Sequence, residues 1–225
     1  MSITLPEFKN ANDNPDNIFK ALEQTVLIKP RVKGQAITPI ESVWDAEDGG
    51  LIIPPNFIPV GLITKADGST WSRSTTVADT ESAGYAEPTR RDVTGDVRGL
   101  RFTAQESNRA TLALYESLPA DQVKQIAGGA VTYDAPARPG LIEYEVLAIA
   151  QDGVGADVLH QVRYLPRATM TEFSDQRWSE DGEWLYPCNF GAMVDPNAGT
   201  SLRTWWCGSE ARLEGMGFDP AGGTP

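Results

Sequence analysis

The chemically versatile side chains of this 225-residue chain are few. Glu143 and Glu145 stand two apart in IEYEVLAIA, on one face of the segment if it is extended. Two carboxyls roughly 5–9 Å apart are what glycoside hydrolases use as acid, base or nucleophile. Any solvated strand face produces the same spacing, and the solvated face is the favoured reading. Asp92 with Asp96, and Glu172 with Asp175, are weaker pairs. His160 is the only histidine, so it has no imidazole partner for a metal and no Ser or Cys that sequence can assign to it. Cys188 and Cys207 are not in a metal-type spacing. RDVTGDVRG has glycines but lacks the phosphate-binding spacing and the strand-turn-helix context. The expectation is no catalysis, no cofactor and no metal.

Two other groups suit contacts rather than reactions. Trp205 and Trp206 are adjacent, with Trp178 and Trp184 upstream. Exposed tryptophans stack on sugars, but neighbours on a strand point to opposite faces, which suits core and subunit packing. Arg90 and Arg91 sit together in PTRRDV, and acidic neighbours in this subunit or the next are their expected partners. Trp178, Trp206, Arg90 and Arg91 are thus candidate inter-subunit residues.

Composition bounds what such residues serve. Hydrophobic residues make up 40% and charged residues 22%, which is globular, and the length suits one domain. With 21 glycines and 16 prolines scattered along the chain, many short elements are favoured over long helices. The net charge of −12 argues against binding the phosphate backbone, which needs clustered Lys and Arg. No apolar run approaches the roughly 20 residues of a membrane span, and the N-terminus lacks the pattern of a secretory leader, so a cytoplasmic origin is expected.

The positioning elements read as mostly strands. Residues 1–20 are a polar arm, Leu22 opens a strand, and 34–59 is a long Pro-rich loop around the turn AEDGG. VGLIT leads through KADGS, with Gly68 at positive φ, to a strand carrying Trp71, Arg73, Thr75 and Val77 on one side. Val93–Gln105 is a bent strand or strand pair, with Gly95 and Gly99 at bulge or turn positions. Leu100, Phe102 and Ala104 face one way, and Ser107 or Asn108 caps a helix over about 108–117. Asp121–Ile126 adds a further helical turn. In IEYEVLAIAQDGVGADVLHQVRYL a turn near Gly153–Gly155 sets Tyr144 opposite Tyr164, Val146 opposite Val162 and Glu145 opposite Arg163. One face is then apolar and includes His160; the other carries Glu143, Glu145, Gln161 and Arg163 to water. Trp184–Val194 and Ser201–Cys207 form a last hairpin about a turn at Asp195–Thr200, with both cysteines as reduced, packed thiols. Residues after Gly208 are a loose tail. The fold class expected is mainly β (α+β), an antiparallel sandwich or barrel-like domain over 21–208 with one flanking helix, an arm over 1–20 and a tail over 209–225.

An ordered set of segments then resembles one family. GLITKADGSTWSR, EPTRRD, FTAQE running into SNRATLALYE, YLPRATMTEF, DQRWSEDGEWLYP and VDPNAGTSLRTWWCG are similar to stretches of the major tail proteins, or tail tube proteins, of long non-contractile-tailed bacteriophages, those of actinobacterial phages in particular. The resemblance spans about Val60–Gly208. It implies a virion protein assembled in the host cytoplasm, with hexameric rings of identical subunits stacked into a tube. The implied partners are other copies of the chain, the tape-measure protein, tail tip and tail terminator proteins, and genomic DNA passing without specific binding; no membrane is involved. An acidic lumen would repel phosphate, and Asp79, Glu81, Asp96, Glu143 and Glu145 are its candidates. The loop 34–59 and the tail after Gly208 are the candidates for ring stacking, and excising 34–59 is expected to leave a folded monomer. The alternatives are a carbohydrate-binding β-sandwich using Trp178, Trp184 or Trp206, and a glycoside hydrolase using Glu143 and Glu145.

Overall fold

The computed structural model describes residues 13–219. In chain order the strands are β1 (Glu23–Pro30), β2 (Trp44–Asp45), β3 (Gly50–Leu51), β4 (Ile58–Pro59), β5 (Thr70–Thr80) and β6 (Arg90–Ala104). Helix α1 (Arg109–Tyr115) follows, then β7 (Lys124–Ile126), β8 (Ala130–Thr132), β9 (Glu143–Asp152), β10 (Leu159–Glu172), β11 (Tyr186–Ala192), β12 (Arg203–Gly208) and α2 (Glu210–Gly215). The fold is mainly antiparallel β with a flanking helix. One eight-stranded sheet runs β4-β1-β9-β10-β11-β6-β5, with β12 also paired to β10; β2-β3 and β7-β8 are small separate hairpins.

The central strands are apolar on both faces. Tyr144, Val146 and Ala148 of β9 join Val26, Leu165, Met170, Phe102 and Phe190 in one buried cluster under α1. Leu147 and Ile149 join Val162, Tyr164 and Cys207 in a second. The observed register explains this. Tyr164 lies opposite Leu147 and Val162 opposite Ile149, not Tyr144 and Val146. The loop between β9 and β10 is longer than the three-residue turn expected, because a 3-10 turn at Gly155–Asp157 follows Gly153. A three-residue shift is odd, so it transfers the side chains of Leu159–Leu165, the part of β10 before its bulge, to the other face. The run VLAIA already has the unbroken apolar character of a strand buried on both sides.

Loop 34–59 is what covers that second face. Ile40 and Val43 are buried, and Trp44, Leu51 and Phe57 pack beside them. Arg203 donates to the Ile40 carbonyl at 2.6 Å. The loop is therefore part of the core, and its excision would strip the cover from Leu147, Ile149 and Tyr164 rather than leave a folded monomer.

Four further expectations change. Val60–Thr64 makes only an isolated bridge, Ile63 with Ala104, and β5 pairs with β6 instead. Strands β11 and β12 do not pair with each other: β11 lies between β10 and β6, and β12 pairs with the first half of β10. Strand β10 serves both because it is 14 residues long and bulged between Leu165 and Ala168, where Pro166 sits. The chain after Gly208 forms α2, capped by Ser209, and Asn17 of the 3-10 turn Pro15–Asn17 donates to the Gly215 carbonyl at 2.8 Å. Residues 1–12 of the expected arm and 220–225 of the expected tail lie outside the described residues. The extra helical turn is a 3-10 turn at Ala120–Gln122 followed by β7.

Helix α1 forms where the sequence signals it. Asn108 accepts from the Ala110 and Thr111 amides, and Thr111 returns the bond to the Asn108 amide. Ala110, Thr111, Ala113 and Leu114 make its buried face.

Cys188 and Cys207 are both free and buried, in different clusters. Burial pushes the Cys188 thiol up to about 12 and the Cys207 thiol up to about 11. Neither will react with a disulfide reagent such as DTNB at pH 8 in the native protein, and both will react in denaturant; a fast native reaction at either site would contradict this packing.

Candidate functional site: a projecting arm and a buried ionic cluster

Beyond Trp71 and Leu100 the pair β5-β6 leaves the core and continues as a two-stranded arm. Every residue from Ser72 to Val97 is exposed except Gly95, which is half-buried. Ser72 lies opposite Gly99, Val77 opposite Val93 and Thr80 opposite Arg90, with the bulge near Gly95 that the sequence suggested. One face carries Arg73, Thr75, Val77 and Asp79 with Arg98, Asp96, Val93 and Arg91. The other carries Ser72, Ser74, Thr76 and Ala78 with Val97 and Gly95.

The arm's charges are matched across its strands. Arg73 grips Asp96 with two bonds of 2.8 and 3.0 Å, and Arg91 grips Asp79 with two of 2.7 and 2.9 Å. Arg98 adds a contact to Asp96, and Arg90 pairs with Asp92 at 2.8 Å. The guanidinium of Arg91 holds the Asp79 carboxyl below its ordinary range, and that of Arg73 does the same to Asp96. These pairs are fully solvated, so they fix register more than they stabilise. Arg90 and Arg91 thus meet acidic partners within the subunit. Of the acidic-lumen candidates, Asp79 and Asp96 are neutralised by their arginines, while Glu81 stands at the arm's tip.

The outer edge of β5 has no strand beside it among the described residues. Its 11 residues include neither Lys nor Pro, and its partner β6 carries the bulge. Natural sheets blunt exposed edges with those devices because an open row of N–H and C=O groups templates pairing with another chain.

Glu143 and Glu145 lie elsewhere, within the sheet. Glu145 is 1% exposed; it accepts the Tyr164 hydroxyl and meets Lys29 Nζ at 2.8 Å. Burial first, then that hydrogen bond, pushes the Tyr164 hydroxyl above its ordinary value. Glu145 therefore cannot line a lumen, and Arg163, its expected partner, instead lies over the Trp71 ring at 4.8 Å. Glu143 accepts from Arg167 at 2.6 Å, with Arg31 nearby at 3.8 Å. Glu145 is closed to a sugar, so the two carboxyls do not form an open pair of the glycosidase kind.

The sequence reading misses the basic half of this cluster and its third carboxylate, Asp195. Lys29 on β1 and Arg31 just past its end are spaced as Glu145 and Glu143 are on β9: Lys29 pairs with Glu145 in the ladder, and the Arg31 amide donates to the Glu143 carbonyl at 2.8 Å. That complementary spacing was a usable signal. Asp195 is fully buried: Oδ1 accepts from the Asn197 and Ala198 amides, closing the turn Asp195–Thr200 as expected, and Oδ2 lies 2.8 Å from Arg31.

The cluster gives stability an acid limit. Burial favours the neutral Asp195 carboxyl, but the Ala198 amide, Arg31 and the Asn197 amide outweigh it and hold its pKa below the ordinary value. Arg167 lowers Glu143, and Arg212 lowers Asp152. A carboxyl lowered in the folded state contributes stability that is complete above its unfolded pKa, about 4, and is lost as pH falls through the folded value. The urea midpoint should decline slightly from pH 7 to about 5, because the unfolded chain protonates His160 more readily, and fall steeply below pH 4, less steeply in Asp195→Asn. An equally shallow profile to pH 2.5 would contradict the pairing.

His160 is part-buried and hydrogen-bonds Gln151 at 3.1 Å. Burial holds its pKa below the ordinary value. Trp178 is 79% exposed and edges against Trp184 at 5.3 Å, which stacks on Tyr186. Trp206 edges against Phe19 at 5.0 Å. Among the described residues no group of three or more His, Cys, Asp or Glu is placed to hold a metal, and no helix is long and apolar enough to cross a membrane.

No protein-family model matches the chain, and no curated protein matches it. Solved structures similar to it include a crystal structure of Hcp protein, 15% identical, spanning 81% of this chain and 98% of that one with a TM-score of 0.32. A superposition that loose bears on neither function nor assembly.

Proposed function

We propose that the chain is a structural subunit that works by self-assembly: the tail tube protein of a long-tailed phage, forming stacked hexameric rings around the tape-measure protein and the passing genome. The observation that carries this reading is the β5-β6 arm. An isolated two-stranded ribbon is marginal in water, and this one offers an unblunted edge along its whole length. Pairing that edge with a neighbouring copy satisfies it, and repeating the pairing around a ring leaves no copy with a free edge. The arm's self-neutralised charge and the chain's net −12 both disfavour DNA sticking to the wall. The motif resemblance supplies the phage, the tape-measure protein and the tip and terminator partners; tube formation itself rests on the arm.

Negative-stain electron microscopy of the concentrated full-length protein tests the reading. Hollow tubes or ring stacks of uniform diameter are expected; monomers at every concentration, with or without the tape-measure protein, would overturn it. A second reading has one observation behind it. Trp178 against Trp184 forms an exposed aromatic step of the kind that stacks on sugars. Glycan-array binding lost in Trp178→Ala would support that reading.

A further inference from the structure

We propose that the tip of the β5-β6 arm docks in a cavity at the far end of the sheet on a second copy of the chain. This rests on the assembly reading and specifies its head-to-tail contact.

The cavity, of about 890 Å³, opens where β1 ends and β9 begins. Arg31, Lys33 and Arg167 line it with Glu143 and Asp121, and Asp195 lies behind Arg31, so Lys33 is the cation left uncompensated at its mouth. Lys33 makes no ion pair among the described residues, whereas Arg31 is held by Asp195 and Glu143, and Arg167 by Glu143. Leu141, on the same wall, is 79% exposed.

The tip supplies the complement. Tyr85 is 72% exposed on a tight turn, its amide donating to the Ser82 carbonyl at 3.2 Å and Ser82 Oγ meeting Thr89 Oγ1 at 2.7 Å. Glu81 and Glu87 flank it, both exposed and neither ion-paired among the described residues. An exposed tyrosine on a turn is a common interface anchor, and the flanking carboxylates complement the unpaired Lys33 of the cavity.

Strand direction makes the contact intermolecular. Followed from Ala104 back to Arg90, β6 runs the way β9 runs from Glu143 to Asp152. The arm therefore leaves the sheet toward the Asp152 end, while the cavity lies at the Glu143 end. A tip-to-cavity contact between successive copies is heterologous and repeats without closing, which generates a stack.

Two full-length variants carrying one added cysteine each, Ala86→Cys and Gln35→Cys on the cavity wall, mixed under mild oxidation, test this. A disulfide-linked dimer of the two different variants is expected, since the native thiols are buried; its absence overturns the proposal. Adding Lys33→Glu to the Gln35→Cys acceptor should reduce the cross-link at least tenfold, and Glu87→Lys on the donor should restore it. The two readings fail separately. Tubes of normal length without the cross-link would sink this contact and spare the tube. The cross-link without tubes would spare the contact and sink the tube.

Discussion

Replacing Arg73–Arg98 with an Asn-Gly turn will leave the chain folded and abolish tube formation. Ser72 and Gly99 already lie opposite each other, so a two-residue turn of this type joins them in register. Nearly all the removed side chains are solvated, and the core ends of the strands, Trp71 and Leu100, stay in place. The stability change should be within about 1 kcal/mol, since surface groups remote from caps and buried networks contribute little each. Circular dichroism and urea melts check the fold; electron microscopy and sedimentation check assembly. Tubes of wild-type diameter from the shortened chain would remove the arm from the mechanism. Excising 34–59 should behave oppositely, giving insoluble or unfolded chain, because Ile40 and Val43 lie in the core.

The largest stability effect is expected at Glu145. Alanine there would leave Lys29 without its ion pair and the Tyr164 hydroxyl without its acceptor, beside a new void. Breaking a buried pair from one side costs about 3–5 kcal/mol. For a chain of this size that is a fall in Tm of roughly 10 °C. Glu145→Gln keeps an acceptor for Tyr164 and should lose less. Removing both charges with apolar residues, Lys29→Met with Glu145→Leu, should recover much of the loss, because an apolar replacement has no desolvation cost. Thermal melts of the three variants decide it; a Glu145→Ala protein within 1 kcal/mol of wild type would show that the network does not hold the sheet.

What was legible in the sequence was local. The Asn108 cap and the spacing of Ala110, Ala113 and Leu114 specify α1, since both signals act within a few residues. Asp195 specifies its turn through bonds to amides two and three residues on. Alternation of Leu100, Phe102 and Ala104 specifies the buried face of β6, and the mainly β class follows from many such short segments. The arm itself is only half legible: the alternation of Trp71, Arg73, Thr75 and Val77 marks a strand, but the turn at KADGS points to Val60–Thr64 rather than β6 as its neighbour.

The tertiary structure decided what depends on distant chain. Whether Glu145 faces water or the core turns on the β9-β10 loop and on a cover supplied by loop 34–59, more than 80 positions away. Periodicity reports which residues share a face, but not whether another segment buries that face. The same limit paired β11 with β12, the nearest strands in sequence, when the bulge in β10 gives each a separate seat. Local sequence determined the elements because capping, turn and alternation energies are short-ranged. Partners, register and burial were settled by packing, in which one odd shift or one covering loop reverses the environment of a whole strand.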